Sequence, residues 1–318
     1  MPLPTAGQVH QNAALSQVAI NYANPLYIWP ECLPIVPVEK QSDKYYLFDR
    51  ADLFRNEAKR RPVGGAAPRG GYRLSTESYA CEPYAFAEEL PDEVRENADS
   101  ALQPEINATK RAMDKVLLAM EIDIAGAILV NGVWGTSVSG ASSGGDFVYW
   151  DTYATSTPIS DIQTGRQNIL LGSGVKPNAL VLGFQVYEAL KEHPEITAKV
   201  QYSTVSGQPA MVTKELLAQI LEVDRVLVGE AVYNTASEGQ SVSMAHIWGK
   251  HALLCYVAPE PSRDTPSAGY TFRWKEKDLV VQSWREDANH QEVFEAESYL
   301  DFKITSTVCG YFLNGAIA

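Results

Sequence analysis

The segment Gly140–Gly144 matches the GxSxG pattern that carries the nucleophile of many serine hydrolases. Such a serine needs a strand before it and a helix after it, because the sharp turn between them presents the hydroxyl group to the substrate. Glycine and serine surround Ser142 instead, and no helical periodicity follows Asp146. A serine hydrolase that uses Ser142 is therefore the weakest of the functions that we consider.

The histidines and carboxylates offer no stronger site. A metal site needs three or four converging ligands at characteristic spacing, and the sequence contains no HExxH pattern. Acidic pairs such as Glu88-Glu89 lie within a run of charge, which is typical of a solvated surface. The glycine-rich patterns of dinucleotide and nucleotide phosphate loops are also absent. The sequence thus predicts no catalytic residue, no metal and no cofactor.

The cysteines and the apolar segments indicate the compartment. The cysteines form no CxxC pair and are Cys32, Cys81, Cys255 and Cys309. We expect each thiol to act as a small core residue in a reducing environment. The N-terminus lacks the features of a signal peptide, and the most apolar stretch, 122–133, contains Asp123. We therefore expect a soluble protein of the cytoplasm that does not contact a membrane.

Composition and charge bear on one further class of protein, those that bind nucleic acid over a broad face. The chain of 318 residues is 45% hydrophobic and 20% charged, which is typical of a globular protein with a substantial core. Its 26 basic and 39 acidic residues give a formal charge of −13. A broad nucleic-acid-binding face needs clustered lysine and arginine. The charge balance therefore argues against a protein that grips nucleic acid.

Residues 1–43 have the pattern of an extended arm. Prolines interrupt the apolar segment Asn24–Val38, and proline disrupts helix interiors and removes ladder donors from strands. Such an apolar strip must lie on another surface, either of its own chain or of a neighbour. We expect Tyr27 and Trp29 to contact a neighbouring subunit.

Residues 44–87 have the pattern of a long hairpin, in which short alternating segments flank a tip, Arg60–Gly71, that is rich in glycine. Its basic residues, which we expect at contacts between subunits, are Arg50, Arg55, Lys59, Arg60, Arg61, Arg69 and Arg73. Acidic residues dominate the following segment, Glu82–Asp99, and we expect Glu88 and Glu89 to be contacts there. The charge pattern leaves open whether these are two solvated faces or two complementary surfaces of neighbouring subunits.

Residues 88–155 contain the strongest helix signal. Apolar side chains recur at intervals of three and four over Leu102–Ile128, and Pro104 suits the first turn. The pattern ends at Asn131-Gly132 and predicts a spine of about 27 residues, roughly twice the mean length of a globular helix. A Gly/Ser loop is expected at 135–146.

Residues 156–285 alternate short helices and strands, as a compact α/β unit does. The expected helices are Ser160–Leu170, Phe184–Glu192 and Thr213–Leu221, with Thr213 as the N-cap of the last. The expected strands are Ala179–Leu182, Val223–Val228, Met244–Trp248, Ala252–Val257 and Tyr270–Trp274, with a tight turn joining the third strand to the fourth. The tail from Leu279 to Phe312 alternates as β structure does.

The order of these elements resembles the major capsid proteins of tailed bacteriophages, whose fold is shared by encapsulin nanocompartments and the floor of herpesvirus capsids. The similarity spans nearly the whole chain and is carried by Asn24–Arg50, Gly71–Asp99, the spine helix, Val226–Val257 and Glu297–Ile317. It implies an α+β fold with an N-terminal arm (1–43), an extended loop hairpin (44–87), a peripheral domain with the spine helix (88–155), an axial α/β domain (156–285) and a return to the peripheral domain (286–318).

The resemblance also implies a function. It predicts a structural protein without enzymatic activity, whose copies form the pentamers and hexamers of an icosahedral head shell. The shell would enclose double-stranded DNA without sequence-specific binding. The implied partners are other copies of the chain, a scaffolding protein during assembly in the host cytoplasm, the portal and a decoration protein of the virion. An encapsulin-type shell around an enzyme cargo is the main alternative.

Overall fold

The computed structural model describes residues 10–11, 26–48, 54–61, 63–71, 74–97, 103–203, 212–261 and 267–318. The helices are α1 (Trp29–Cys32), α2 (Asp92–Asn97), α3 (Pro104–Ile128), α4 (Pro158–Ser173), α5 (Phe184–Glu192), α6 (Pro194–Ser203) and α7 (Lys214–Leu221). The strands are β1 (His10–Gln11), β2 (Ile35–Val38), β3 (Ser42–Phe48), β4 (Leu74–Ala80), β5 (Glu82–Pro91), β6 (Thr136–Ala141), β7 (Phe147–Val148), β8 (Ala179–Gly183), β9 (Arg225–Gly229), β10 (Val232–Asn234), β11 (Met244–His246), β12 (Ala252–Cys255), β13 (Tyr270–Trp274), β14 (Val280–Glu286), β15 (Gln291–Lys303) and β16 (Gly310–Asn314).

The first sheet is built around the long strand β15. Its order is β1-β14-β15-β13-β2. Strand β5 also pairs with β15, on the edge opposite to β14. The spine helix α3 packs across β5 and β15. Its 25 residues bury one continuous face that includes Met113, Met120 and Ile124, so the periodicity prediction is confirmed. The helix begins at Pro104, after Gln103 with a φ of 41°, and Leu102 lies outside the described residues.

The second sheet has the order β7-β6-β16-β12-β8-β9. Strands β8 and β12 are buried along their whole length, and the helices α4, α5 and α7 pack beside them in a common apolar cluster. Two local predictions are confirmed: α5 spans Phe184–Glu192, and the Thr213 hydroxyl accepts a hydrogen bond from the Leu216 amide at 3.3 Å. Helix α6 was not predicted, because proline ends one helix and equally suits the first turn of the next.

Strand pairing divides the chain differently from the expected boundaries. Strands β13 and β14, expected in the axial unit, pair with β15 in the first sheet. Strand β16, expected in the peripheral domain, pairs with β12 and β6 in the second sheet. The expected turn between Met244–Trp248 and Ala252–Val257 is present, but the strands that it joins do not pair with each other, because β11 pairs with β10 while β12 lies between β8 and β16. The expected Gly/Ser loop begins with strand β6.

Strands β3 and β4 form the predicted hairpin, with pairs running from Ser42–Ala80 to Phe48–Leu74. The hairpin ends earlier than expected, because β5 leaves it and joins the first sheet. An aromatic contact anchors its base: the Tyr79 ring stacks on the Phe272 ring of β13 with centroids 4.6 Å apart.

The described part of the arm lies on its own subunit. It is not fully extended, since Trp29–Cys32 forms a short helix with Pro30 in its first turn, where a missing amide costs nothing. Strand β2 then pairs in parallel with β13. Ile28, Trp29, Cys32 and Leu33 are at most 7% exposed. The expected need for a covering surface is thus met within one chain at residues 26–38.

Candidate assembly surfaces

The connection between β3 and β4, residues 54–61 and 63–71, is a basic loop that carries its charge in solvent. Lys59, Arg60, Arg61 and Arg69 are all exposed there. Arg55 lies 3.4 Å from the Glu57 carboxylate of the same loop. The predicted contact residues Arg50 and Arg73 lie outside the described residues. The loop therefore presents several cations on a segment that extends from the β3–β4 hairpin.

The acidic segment after the hairpin is partly neutralised inside the subunit. The Glu88 carboxylate lies 2.8 Å from the Arg111 guanidinium of α3. Both oxygens of Asp92 accept hydrogen bonds of 2.5 Å from Arg285, and this pairing lowers the pKa of Asp92. Glu88 is thus held by its own chain, whereas Glu89 is exposed. The sequence did not reveal these pairs because their partners lie far away in the chain.

One face of the first sheet combines small side chains with carboxylates. Directly paired residues of an antiparallel ladder point to the same side, and the pairs here are Ala87 with Glu295, Ala85 with Glu297 and Glu89 with Val293. Ala85, Ala87 and Glu89 are exposed. We call the surface formed by Ala85, Ala87, Glu89, Glu295 and Glu297 the acidic sheet face.

The opposite face of the sheet is covered by the spine helix. The Tyr84 hydroxyl donates to the Asp123 carboxylate of α3 at 2.8 Å, and the Arg111–Glu88 pair joins the same two elements. Within the described chain, β5 pairs with β15 alone and is therefore an edge strand. The acidic sheet face thus lies on the side of the sheet opposite to the spine helix.

The acidic sheet face has more negative than positive charge. The Lys277 ammonium lies 2.6 Å from Glu297, which also accepts a 3.0 Å hydrogen bond from Gln282. Burial and the nearby Glu297 carboxylate both raise the pKa of Glu295, and Lys277 offsets this only in part. A further cation brought to this face would relieve the repulsion between Glu295 and Glu297.

The two predicted contact residues of the arm are held within their own subunit. Trp29 is 4% exposed and lies in the main core, so its side chain has no surface to offer a neighbour. The half-buried Tyr27 donates a 3.2 Å hydrogen bond to Asp114 of α3. The structure therefore places both residues against their own spine helix and core, and their expected contact with another subunit stays a prediction.

Neither Ser142 nor Ser156 has the surroundings of a hydrolytic nucleophile. Ser142 is exposed in the turn between β6 and β7, with no helix after it. A buried pair that sequence reasoning missed joins the Ser156 hydroxyl to His193 Nε2 at 2.9 Å. His193 Nδ1 accepts from the Glu195 amide, so Nε2 carries the proton and donates to Ser156, whose hydroxyl donates to the Thr152 carbonyl. The histidine cannot act as the base of this serine.

The described residues hold no group of three or more histidine, cysteine or acidic side chains placed to bind a metal ion. The free cysteines Cys32, Cys81, Cys255 and Cys309 are all buried, as expected. No helix in the described ranges has the length and apolarity needed to cross a bilayer.

Comparison of the sequence with known proteins finds relatives along its whole length, although no family model matches. The chain is 28% identical over 312 residues to the major capsid protein of Burkholderia phage BcepMu, covering 95% of each chain. It is also 28% identical over 312 residues to the major capsid protein of Pseudomonas phage JBD67, covering 96% of each.

Comparison with solved structures shows the same fold. A phage-related protein from Bordetella bronchiseptica superimposes with a TM-score of 0.73 at 23% identity, over 97% of this chain and 98% of the other. The capsid of Cyanophage P-SCSP1u gives a TM-score of 0.61 at 8% identity, over 100% and 94%. An encapsulin from Synechococcus elongatus gives 0.54 at 12% identity, over 97% and 96%. The chain thus shares its fold with phage capsid and encapsulin subunits.

Proposed function

We propose that the chain is a major capsid protein of the tailed-phage type, a structural protein of the virion head shell that assembles through pentamers and hexamers and is not an enzyme. The observation that carries the proposal is full-length similarity to phage capsid proteins on a chain that has the capsid fold. The chain assembles with copies of itself.

The contact between copies that we propose joins opposite charges. The basic loop of one subunit would lie on the acidic sheet face of the next, with Arg60, Arg61 and Arg69 near Glu89 and Glu295. Three features support this pairing: the cations are exposed, the carboxylates repel one another, and the exposed residues Ala85 and Ala87 carry only small side chains. Complementary charge sets the orientation of subunits more than the strength of their contact.

The contents and accessory partners of the shell follow from the same proposal. A subunit with a formal charge of −13 would enclose double-stranded DNA without binding it tightly, because like charges repel. A separate scaffolding protein would guide assembly, and the portal and a decoration protein would join the shell. Copies of the chain would meet at capsomer centres through the second sheet and its helices.

An encapsulin-type shell around an enzyme cargo is the alternative function, since an encapsulin has a similar fold. The full-length relatives are phage capsid proteins, and this observation favours the phage shell. Genes for terminase and portal beside the coding sequence would support the phage shell. A neighbouring cargo enzyme would support the encapsulin.

Sedimentation velocity tests the proposed assembly. The full chain is expressed alone and together with the neighbouring scaffolding gene. We expect particles of megadalton mass, at least with the scaffold present. A discrete monomer in every condition would contradict the proposal.

A further inference from the structure

A buried carboxylate joins three segments that are distant in the sequence. Glu121 of the spine helix is 0% exposed. Its Oε1 accepts hydrogen bonds from the Ile28 amide at 3.1 Å and from the Trp248 indole at 2.6 Å. Its Oε2 accepts from the Trp29 amide at 3.1 Å. One side chain therefore binds the arm and the segment between β11 and β12 at the same time.

The bonds to the arm are placed where α1 begins. The first amides of a helix have no partner inside the helix, and a carboxylate is well suited to accept from them. A second link holds the other end of α1, because the Arg225 guanidinium of β9 donates to the Glu31 carbonyl at 2.9 Å. The arm helix is thus attached both to the spine and to the second sheet.

Trp248 is itself fixed on the second sheet. Its ring lies so close to Gly229 that a Cβ atom at that glycine would approach the ring to 2.1 Å. The tryptophan is 1% exposed. Because the ring is packed against β9, a shift of β9 or of the turn after β11 would carry the indole N–H away from Glu121.

Burial of the Glu121 carboxylate is electrostatically unfavourable. Burial penalises the charged form of Glu121, and only the hydrogen bonds from Trp248, Ile28 and Trp29 oppose that penalty. Replacing buried ionic groups with apolar ones is often neutral or stabilising, and fixing the register of packed elements is the best-attested role of such groups. The three N–H donors depend on one another, since each makes the carboxylate tolerable for the other two.

We infer that Glu121 is a positioning residue that couples the docking of the arm helix, Trp29–Cys32, to the position of Trp248 on the second sheet. When Trp248 is in place, the carboxylate is held ready for the two arm amides. When Trp248 moves or loses its donor, the carboxylate is less well stabilised and the arm amides open more often. The coupling is a property of the subunit and does not depend on which shell the subunit builds.

Hydrogen exchange on the full chain tests the coupling through two variants. Glu121→Gln replaces one acceptor oxygen with an NH2 group. If the amide oxygen keeps the two hydrogen bonds made by Oε1, the NH2 group faces the Trp29 N–H, and neither of these two donors can accept from the other. We expect exchange at Trp29 to become about tenfold faster or more. Trp248→Phe keeps the ring and removes the indole donor, and it should accelerate exchange at Ile28 and Trp29, although it alters neither amide.

A matched control and a double variant complete the test. Glu105→Gln changes an exposed carboxylate of the same helix and should leave exchange at Ile28 and Trp29 unchanged. Adding Trp248→Phe to Glu121→Gln should add little further acceleration. Unchanged arm exchange in Trp248→Phe, with near-UV circular dichroism that shows a folded subunit, would overturn the inference. Because Trp248→Phe keeps the carboxylate, it decides the question even if Glu121→Gln fails to fold.

Discussion

Charge reversal of the basic loop is the sharpest test of the proposed subunit contact. The variant Arg60→Glu, Arg61→Glu, Arg69→Glu changes only exposed side chains, so we expect the subunit to fold normally. Its loop would then bring negative charge to the acidic sheet face. We expect assembly to weaken or stop while the melting temperature of the subunit stays within a few degrees of the unmodified chain.

The expected magnitude follows from the number of carboxylates that can accept a new cation. Glu297 already binds Lys277, so Glu89 and Glu295 remain for the incoming loop. Glu89 is exposed and Glu295 is half-buried, and two ion pairs of the strength found at protein surfaces contribute about 0.4–2 kcal/mol, which corresponds to a change of about 2- to 30-fold in the association constant of each contact. Reversal replaces attraction with repulsion and should exceed this effect. The contact recurs around every capsomer, which amplifies the effect on closed shells.

Light scattering over a series of protein concentrations measures the effect. We expect the threshold concentration for assembly to rise at least severalfold in the reversed variant. The unmodified chain should show a similar rise when salt increases from about 0.15 M to 1 M, because the screening length falls from about 8 Å to 3 Å. The control Arg60→Lys, Arg61→Lys, Arg69→Lys keeps the charge and should assemble. Equal thresholds for all three proteins at both salt concentrations would refute the reasoning.

Three further predictions concern the subunit itself. Burial lowers the pKa of His193 in the folded subunit. As the pH falls below about 6.5, this imidazole therefore binds a proton in the unfolded chain before it does so in the folded one. The free energy of unfolding should therefore fall between pH 7 and 5, and less so in His193→Asn, as thermal melts would show. Gly229→Ala would push a methyl group into the Trp248 ring and should cost about 1–3 kcal/mol of stability in denaturant titrations, whereas Gly126→Ala, with open space around its Cβ position, serves as the tolerated control. Ser142→Ala removes an exposed hydroxyl and should leave melting temperature and assembly unchanged; loss of a measurable esterase activity would contradict the structural role.

Local patterns in the sequence predicted local structure well. The spacing of apolar residues placed α3, and the His193-Pro194 pair placed the end of α5, because both signals act within a few residues. The hairpin of β3 and β4 was also recognised from alternation around a glycine-rich tip. Each of these elements is determined by interactions between near neighbours in the chain.

Long-range pairing was the part that local patterns could not supply. Alternation identifies β13, β14 and β16 as strands, but it does not say which sheet each one joins. The apolar arm indicated that some surface must cover it, but it did not indicate that this surface is the core of its own subunit. Glu121 had one signal in the sequence, since it is a charged residue next to the apolar stripe of α3, yet its three donors lie about 90 and 127 residues away.

A cryo-electron microscopy reconstruction of the assembled particles tests the central claim most directly. We predict closed icosahedral shells with fivefold and sixfold capsomers, in which residues 54–71 of one subunit lie against Ala85, Ala87 and Glu89 of the next. Particles without such capsomers, or a basic loop that contacts only its own subunit, would contradict the account.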